Sequence, residues 1–144
     1  MAGVIAGVLA RRGVDGFVFR GNDGLDELTT TTTSQVWSIV GGEVSEQQLD
    51  PADLGLAGAS PEDLRGGDVE FNVAVVGRLL AGAAGPVRDA VLLNAAAGIA
   101  AYDVSDAPLV ERLKAGLVRA ADAVDSGAAR DKLTAWIAAA TRSA

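Results

Sequence analysis

The junction "LARRGVDGFVFRGNDG", residues 9–24, constrains this chain more than any other stretch. Ahead of it, Met1, Val4, Ile5, Val8 and Leu9 recur at helical spacing. Arg11 and Arg12 suit a helix C-terminus, where the backbone dipole favours cations, and Gly13 is a natural stop. Val14, Phe17, Val18 and Phe19 follow at once, a nearly continuous apolar run of the kind found in parallel-sheet strands buried on both faces. A helix feeding directly into such a strand reads as the second half of a β-α-β unit. No Ser, Thr, Asp or Asn caps the start of the helix. The expectation is therefore a unit whose first strand lies in further sequence upstream.

The strand ends in the glycine-rich turn "GNDGLDEL", residues 21–28, with Asp26 and Glu27 side by side. In open α/β sheets ligands bind beyond the carboxyl ends of the strands, so this pair is the first candidate site. "TTTTTSQVWSIVGGEVSEQQL" predicts two antiparallel strands, since Thr is β-branched and Gly41-Gly42 suits a hairpin turn. Asp50-Pro51 and Ser60-Pro61 are cap-plus-proline pairs that start short helical turns. From residue 66 onward the pattern is helical. Asp68 caps a helix over roughly 69–81, and a second begins at "GPVRD" with Val87, Val91, Leu92, Ala95 and Ile99 on one face. A third covers 107–125, with Leu109, Leu113, Leu117, Ala120, Ala121 and Val124 inward, and stops at Gly127. The last runs from about 128 to 141, with Leu133, Trp136 and Ile137 inward.

At 144 residues, 49% of them hydrophobic, the chain can bury one real core but not two. A net charge of −7 argues against nucleic acid, which needs a basic patch. It leaves room for small phosphorylated ligands held through a bridging cation. With neither cysteine nor histidine, disulfides, thiol nucleophiles and Ser/His or Cys/His pairs are excluded. The N-terminal apolar run carries its positive charge last, the wrong order for a secretory signal, and is too short to span a membrane. A soluble cytoplasmic protein is the expectation.

"GNDGLDEL", "LDPADLGL", "GGD" with Asn72 four residues after Asp68, "GPVRDAVLLNAA" and "AVDSGAARDKLTAW" occur in that order. The series resembles the C-terminal part of the anthranilate phosphoribosyltransferase family, over nearly the whole chain. The resemblance implies a partial α/β domain of a phosphoribosyltransferase of the nucleoside-phosphorylase type. That domain has few strands, one buried and of parallel type plus a hairpin, packed with about five helices. Residues 1–144 would be a single unit, with an upstream helical domain and substrate loops missing. The family transfers phosphoribosyl from phosphoribosyl pyrophosphate to anthranilate in tryptophan biosynthesis, requires magnesium and is usually a homodimer. By the match to its GLDE motif, Asp26 and Glu27 would bind Mg2+. The physics agrees: magnesium takes one or two carboxylates plus phosphates and waters. Two adjacent carboxylates can reach one site from a turn but not from a straight strand. The bound ion would neutralise charge on the departing pyrophosphate, and bond breaking at the ribose carbon ahead of amine attack would explain why no protein nucleophile is needed.

The family's "GTGGD" loop and "KHGNR" segment are absent, so the chain alone is expected to be inactive. Arg20 stands where the family often has His, and is given no role. Trp37 and Trp136 read as core, Asn94 and Asn72 as partners for backbone groups, and Arg88 with Asp89 as a helix-start pair. Alone, the Asp26-Glu27 pair would read as solvated turn residues. Two competing functions remain: a free-standing, non-catalytic oligomerisation or regulatory domain, and a fragment of a pyrimidine nucleoside phosphorylase. A sheet cut from its neighbours would also expose a strand edge and an apolar face, both prone to pairing.

Overall fold

The computed structural model describes residues 1–142; Ser143 and Ala144 lie outside the described residues. In chain order it contains α1 (Ala2–Arg11), β1 (Gly16–Gly21), β2 (Ser34–Val40) and β3 (Glu43–Leu49). A 3-10 turn (Pro51–Leu54) follows, then α2 (Val69–Leu80), α3 (Pro86–Tyr102), α4 (Leu109–Asp125) and α5 (Ala128–Arg142). The strands form one sheet in the order β1-β2-β3, antiparallel throughout, with Phe17 opposite Ser38 and Ser38 opposite Ser45. Gly41 and Gly42, both at positive φ, make the two-residue hairpin. Such primed turns match the strand twist and demand left-handed backbone at both positions.

Alternation along the strands builds three layers. Phe17, Phe19, Val36 and Leu49 face α3 and α4, where Leu93, Ala97, Leu109 and Leu113 complete the main core. Val18, Trp37 and Ile39 face the other way, against Ala6 and Ala10 of α1. Fully burying each Leu or Val of the main core stabilises the fold by roughly 1.5–3 kcal/mol. Small residues let α3 and α4 approach closely: a Cβ on Gly116 would lie 2.6 Å from the Ala96 carbonyl oxygen. The two helices are also tied at one end, where the Arg88 Nη2 donates to Asp125 at 2.9 Å.

Several expectations are corrected. β1 pairs antiparallel to β2 and is half-buried along most of its length, and among the described residues no strand covers its other edge. Thr29–Thr33 is a loop rather than strand: the Thr29 hydroxyl takes the Thr31 N–H, and the Thr31 and Thr33 hydroxyls bond the Asp23 and Asn22 side chains across the turn. α1 buries Ala6 and Ala10 and leaves Val4, Ile5 and Val8 outward. α3 buries Leu92, Leu93, Ala96, Ala97 and Ala100, with Val91 exposed; a helix apolar all round carries no periodicity to fix the face. α5 buries nothing fully, and Trp136 is 71% exposed with Ile137 beside it, so neither is core. Arg88 pairs with Asp125, not Asp89. The Asp68 cap holds, its carboxylate accepting from the Phe71 N–H at 2.8 Å, as does Asp50 on Ala52.

Candidate functional site

The turn after β1 is built by local hydrogen bonds that its residue types dictate. The Gly21 N–H donates to the Leu25 carbonyl at 2.9 Å and the Gly24 N–H to the Gly21 carbonyl at 3.0 Å. A Cβ at residue 21 would lie 2.3 Å from the Asp23 Oδ1 and would push that carboxylate out of the position its hydrogen bonds give it. Asn22 bridges to Thr33 twice, through its backbone N–H at 2.9 Å and through Nδ2 to Oγ1 at 2.7 Å. Asp23 takes the Leu25 N–H on one carboxylate oxygen and the Thr31 hydroxyl, at 2.6 Å, on the other. Partial burial pushes the Asp23 carboxyl up. The Thr29 and Thr31 hydroxyls and the Leu25 N–H outweigh it, and hold the group below the usual carboxylate value.

The far side of the turn is anchored to α3. The Leu28 side chain is buried, its N–H donates to Asn94 Oδ1 at 3.0 Å, and its carbonyl accepts from Asn94 Nδ2 at 2.8 Å. Asn94 Nδ2 also donates to the Ala90 carbonyl at 3.0 Å, which fixes the amide on its own helix. Thr29 is held by Ser34, whose hydroxyl accepts its N–H at 3.1 Å.

Asp26 and Glu27 therefore form a two-residue span between two pinned leucines. Both are exposed, and neither carboxylate has a hydrogen-bond or ion-pair partner among the described residues. No group of three or more His, Cys, Asp or Glu that could hold a metal exists among the described residues. The donor set fits a hard divalent cation whose remaining ligands come from phosphate oxygens and water, and does not fit a site closed by protein alone. Arg20 is exposed on β1 opposite Gln35 and joins no contact here. Sequence reasoning picked out Asp26 and Glu27 and gave Asn94 its backbone role. It missed Asp23, Thr31 and Ser34, whose only signal was their hydroxyl and carboxylate types within a short loop.

Residues 1–130 match the glycosyl transferase family, a/b domain. The chain is 62% identical over 137 residues to an anthranilate phosphoribosyltransferase of Thermobifida fusca, covering 95% of this chain and 39% of that protein. It is 58% identical over 142 residues to one from Nocardioides sp., covering 99% and 42%. It thus spans about two-fifths of the length of these relatives. Among solved structures, anthranilate phosphoribosyltransferase from Thermus thermophilus superposes with a TM-score of 0.80 at 35% identity, over 95% of this chain and 39% of that one. The Saccharomyces cerevisiae enzyme in complex with PRPP and Mg gives 0.76 at 25% identity, over 92% and 38%.

Proposed function

Because this chain belongs to the glycosyl transferase family, a/b domain, we propose that it is the C-terminal portion of an anthranilate phosphoribosyltransferase. The whole protein would transfer phosphoribosyl from phosphoribosyl pyrophosphate to anthranilate, a pentosyltransferase reaction, and this segment would supply magnesium ligands. What carries the proposal is the pair of unpartnered carboxylates, Asp26 and Glu27, held out between Leu25 and Leu28 at the carboxyl end of β1. The yeast structure with PRPP and Mg supports the choice of ligand class.

In this assignment Asp26 and Glu27 would hold magnesium through hard oxygen donors, and the bound ion would supply charge neutralisation for the pyrophosphate. Asn94 fixes the backbone from which the pair projects, and the network of Asn22, Asp23 and Thr31 keeps the turn from collapsing onto the sheet. Preformed positioning of this kind lowers the entropic cost of assembling the reactants. A biosynthetic enzyme of this kind would work in the cytoplasm, and no helix among the described residues is long and apolar enough to cross a membrane. The open apolar faces of α1 and α2 support a protein that associates, as the homodimer or with the rest of its own fold. Light scattering of the isolated chain at micromolar concentration should give a mass above the monomer; a clean monomer would count against association.

Two experiments test the assignment. In a protein extended to the relatives' length, replacing Asp26 and Glu27 by Ala should abolish magnesium-dependent turnover, and unchanged turnover would remove the metal assignment. The 144-residue chain with phosphoribosyl pyrophosphate and magnesium should leave anthranilate fluorescence constant. Steady loss would mean that this segment is catalytically sufficient.

A further inference from the structure

The "GGD" stretch, residues 66–68, and Asn72 take no part in the turn after β1. They fix a loop to α2 instead. Asp68 caps the helix through the Phe71 N–H at 2.8 Å. Asn72 Oδ1 accepts the Gly67 N–H at 3.0 Å, and Asn72 Nδ2 donates to the Gly67 carbonyl at 2.9 Å. The Phe71 ring lies so close over this loop that a Cβ on Gly67 would come within 2.9 Å of it. Loop and first helical turn therefore form one preformed wall.

That wall bounds a cavity of about 310 Å³ between α2 and the segment leading into α3. Phe71, Val75 and Leu79, at i, i+4 and i+8 on one face of α2, give it an apolar side, with Val87 opposite on α3. Phe71 is 47% exposed, a large apolar surface left open in a concave place. Arg65, Arg78 and Arg88 line the same space. Arg88 is engaged by Asp125 at 2.9 Å. Arg65 and Arg78 are exposed and make no ion pair among the described residues. Asp63 also lines the cavity, but one of its carboxylate oxygens takes both the N–H and the hydroxyl of Ser60 at 2.8 Å. Even with Arg88 neutralised, the free guanidinium groups outnumber this carboxylate, on a chain whose net charge is −7. Small-molecule sites are commonly concave and mostly apolar, with a few polar groups that fix orientation. Arginine matches a carboxylate by offering it two parallel N–H donors.

We propose that this cavity binds a small organic acid, its apolar or aromatic body against Phe71, Val75 and Leu79 and its carboxylate at Arg65 and Arg78. The site shares no residue with the turn after β1 and stands whether or not the metal assignment there holds.

The probe is benzoate, titrated into the 15N-labelled 144-residue chain and followed by the amide signals of Arg65, Gly66, Gly67 and Val87. Acetate, which has the charge without the body, and benzyl alcohol, which has the body without the charge, are titrated beside it. Saturable shifts at these four amides are expected, at lower concentration with benzoate than with either of the others. The double variant Arg65→Gln, Arg78→Gln changes two exposed side chains and should weaken benzoate binding about tenfold or more. Its response to benzyl alcohol should stay as in the parent. Acetate binding as tightly as benzoate would overturn the proposal by showing that the apolar side is unused. Benzyl alcohol binding as tightly would overturn it by showing that the guanidinium groups are unused. These two arms need no variant, so the test holds even if the double variant fails to fold. No saturable shift with benzoate, or benzoate binding that the double variant leaves unchanged, would also overturn it.

Discussion

The centre of the molecule and its flanking helices are built from the same kinds of residue and end in opposite states. Between the sheet and the α3–α4 pair, Val36, Leu49 and Leu113 are each 1% exposed and Leu93 is sealed. On α2, Val69, Phe71, Val73 and Val76 are all exposed, and α1 turns Val4, Ile5 and Val8 outward. Apolar content therefore does not separate the two regions; what separates them is whether a complementary surface exists within the described residues. The centre closes on itself because the sheet offers one face to two helices that pack tightly through Gly116. α1 and α2 carry stripes made for something else, which fits a segment spanning two-fifths of its relatives' length.

The largest expected effect follows directly. Leu93→Ala or Leu113→Ala should cost about 2–5 kcal/mol by leaving a cavity in a closed core. In the chain diluted to its monomer, Val73→Ala on α2 should stay within about 0.5 kcal/mol, as surface changes do. Urea denaturation of the two kinds of variant side by side checks this, and equal losses would mean that α2 is buried in solution.

This contrast also marks what was legible in the sequence. The hairpin was, because Gly41-Gly42 admits positive φ at both positions and the flanking strands alternate. The Asp68 and Asp50 caps were, because capping is local chemistry. The family was visible in five ordered motifs. The buried faces of α3 and α5 were not. α3 is apolar around its circumference, so only the approach of α4 at Ala96 chooses a side, and α5 has a stripe at Leu133, Trp136 and Ile137 with little described structure to receive it. The threonine run was misread because β propensity is a packing preference, and here the hydroxyls of Thr29 and Thr31 found closer partners. At the site, the sequence pointed to the two carboxylates but not to the frame beneath them. Asp23 and Ser34 act through tertiary geometry that spacing alone does not fix.

Glycines sharpen the comparison from the other side. Gly116→Ala would force a Cβ to 2.6 Å from the Ala96 carbonyl oxygen, and overpacking of this kind typically costs about 1–3 kcal/mol. Gly98→Ala, on the open side of α3 with nothing within 4 Å of the added carbon, should instead stabilise by up to about 1 kcal/mol. Thermal unfolding that moved both in one direction would contradict the close α3–α4 seam.

Asn94→Ala should cost about 1–3 kcal/mol, because it leaves the Leu28 N–H and carbonyl without partners in a part-buried position. It should also broaden the amide signals of residues 25–28, which a purely global loss of stability would not single out.

The smallest effect is the pH dependence of Asp23. Its folded carboxyl is held below the ordinary value near 3.8, so the stability it lends is fully present above that value and is lost as pH falls through the lower folded value. Asp23→Asn should be slightly less stable than the parent at neutral pH. The gap should close in acid, as pH-dependent denaturant midpoints will show. A gap that widened in acid would reverse the sign of the Thr29 and Thr31 contribution.

The most direct test of the central claim is paramagnetic broadening by Mn2+ as a magnesium surrogate, with pyrophosphate present, on the uniformly 15N-labelled chain. If the turn after β1 is a preformed half-site, broadening will concentrate on residues 25–28 and reach Asn94, and it will disappear in the Asp26→Asn, Glu27→Gln double variant. Broadening spread over the acidic surface, or unchanged in that variant, would mean that the two carboxylates are solvated turn residues and that the metal is held elsewhere.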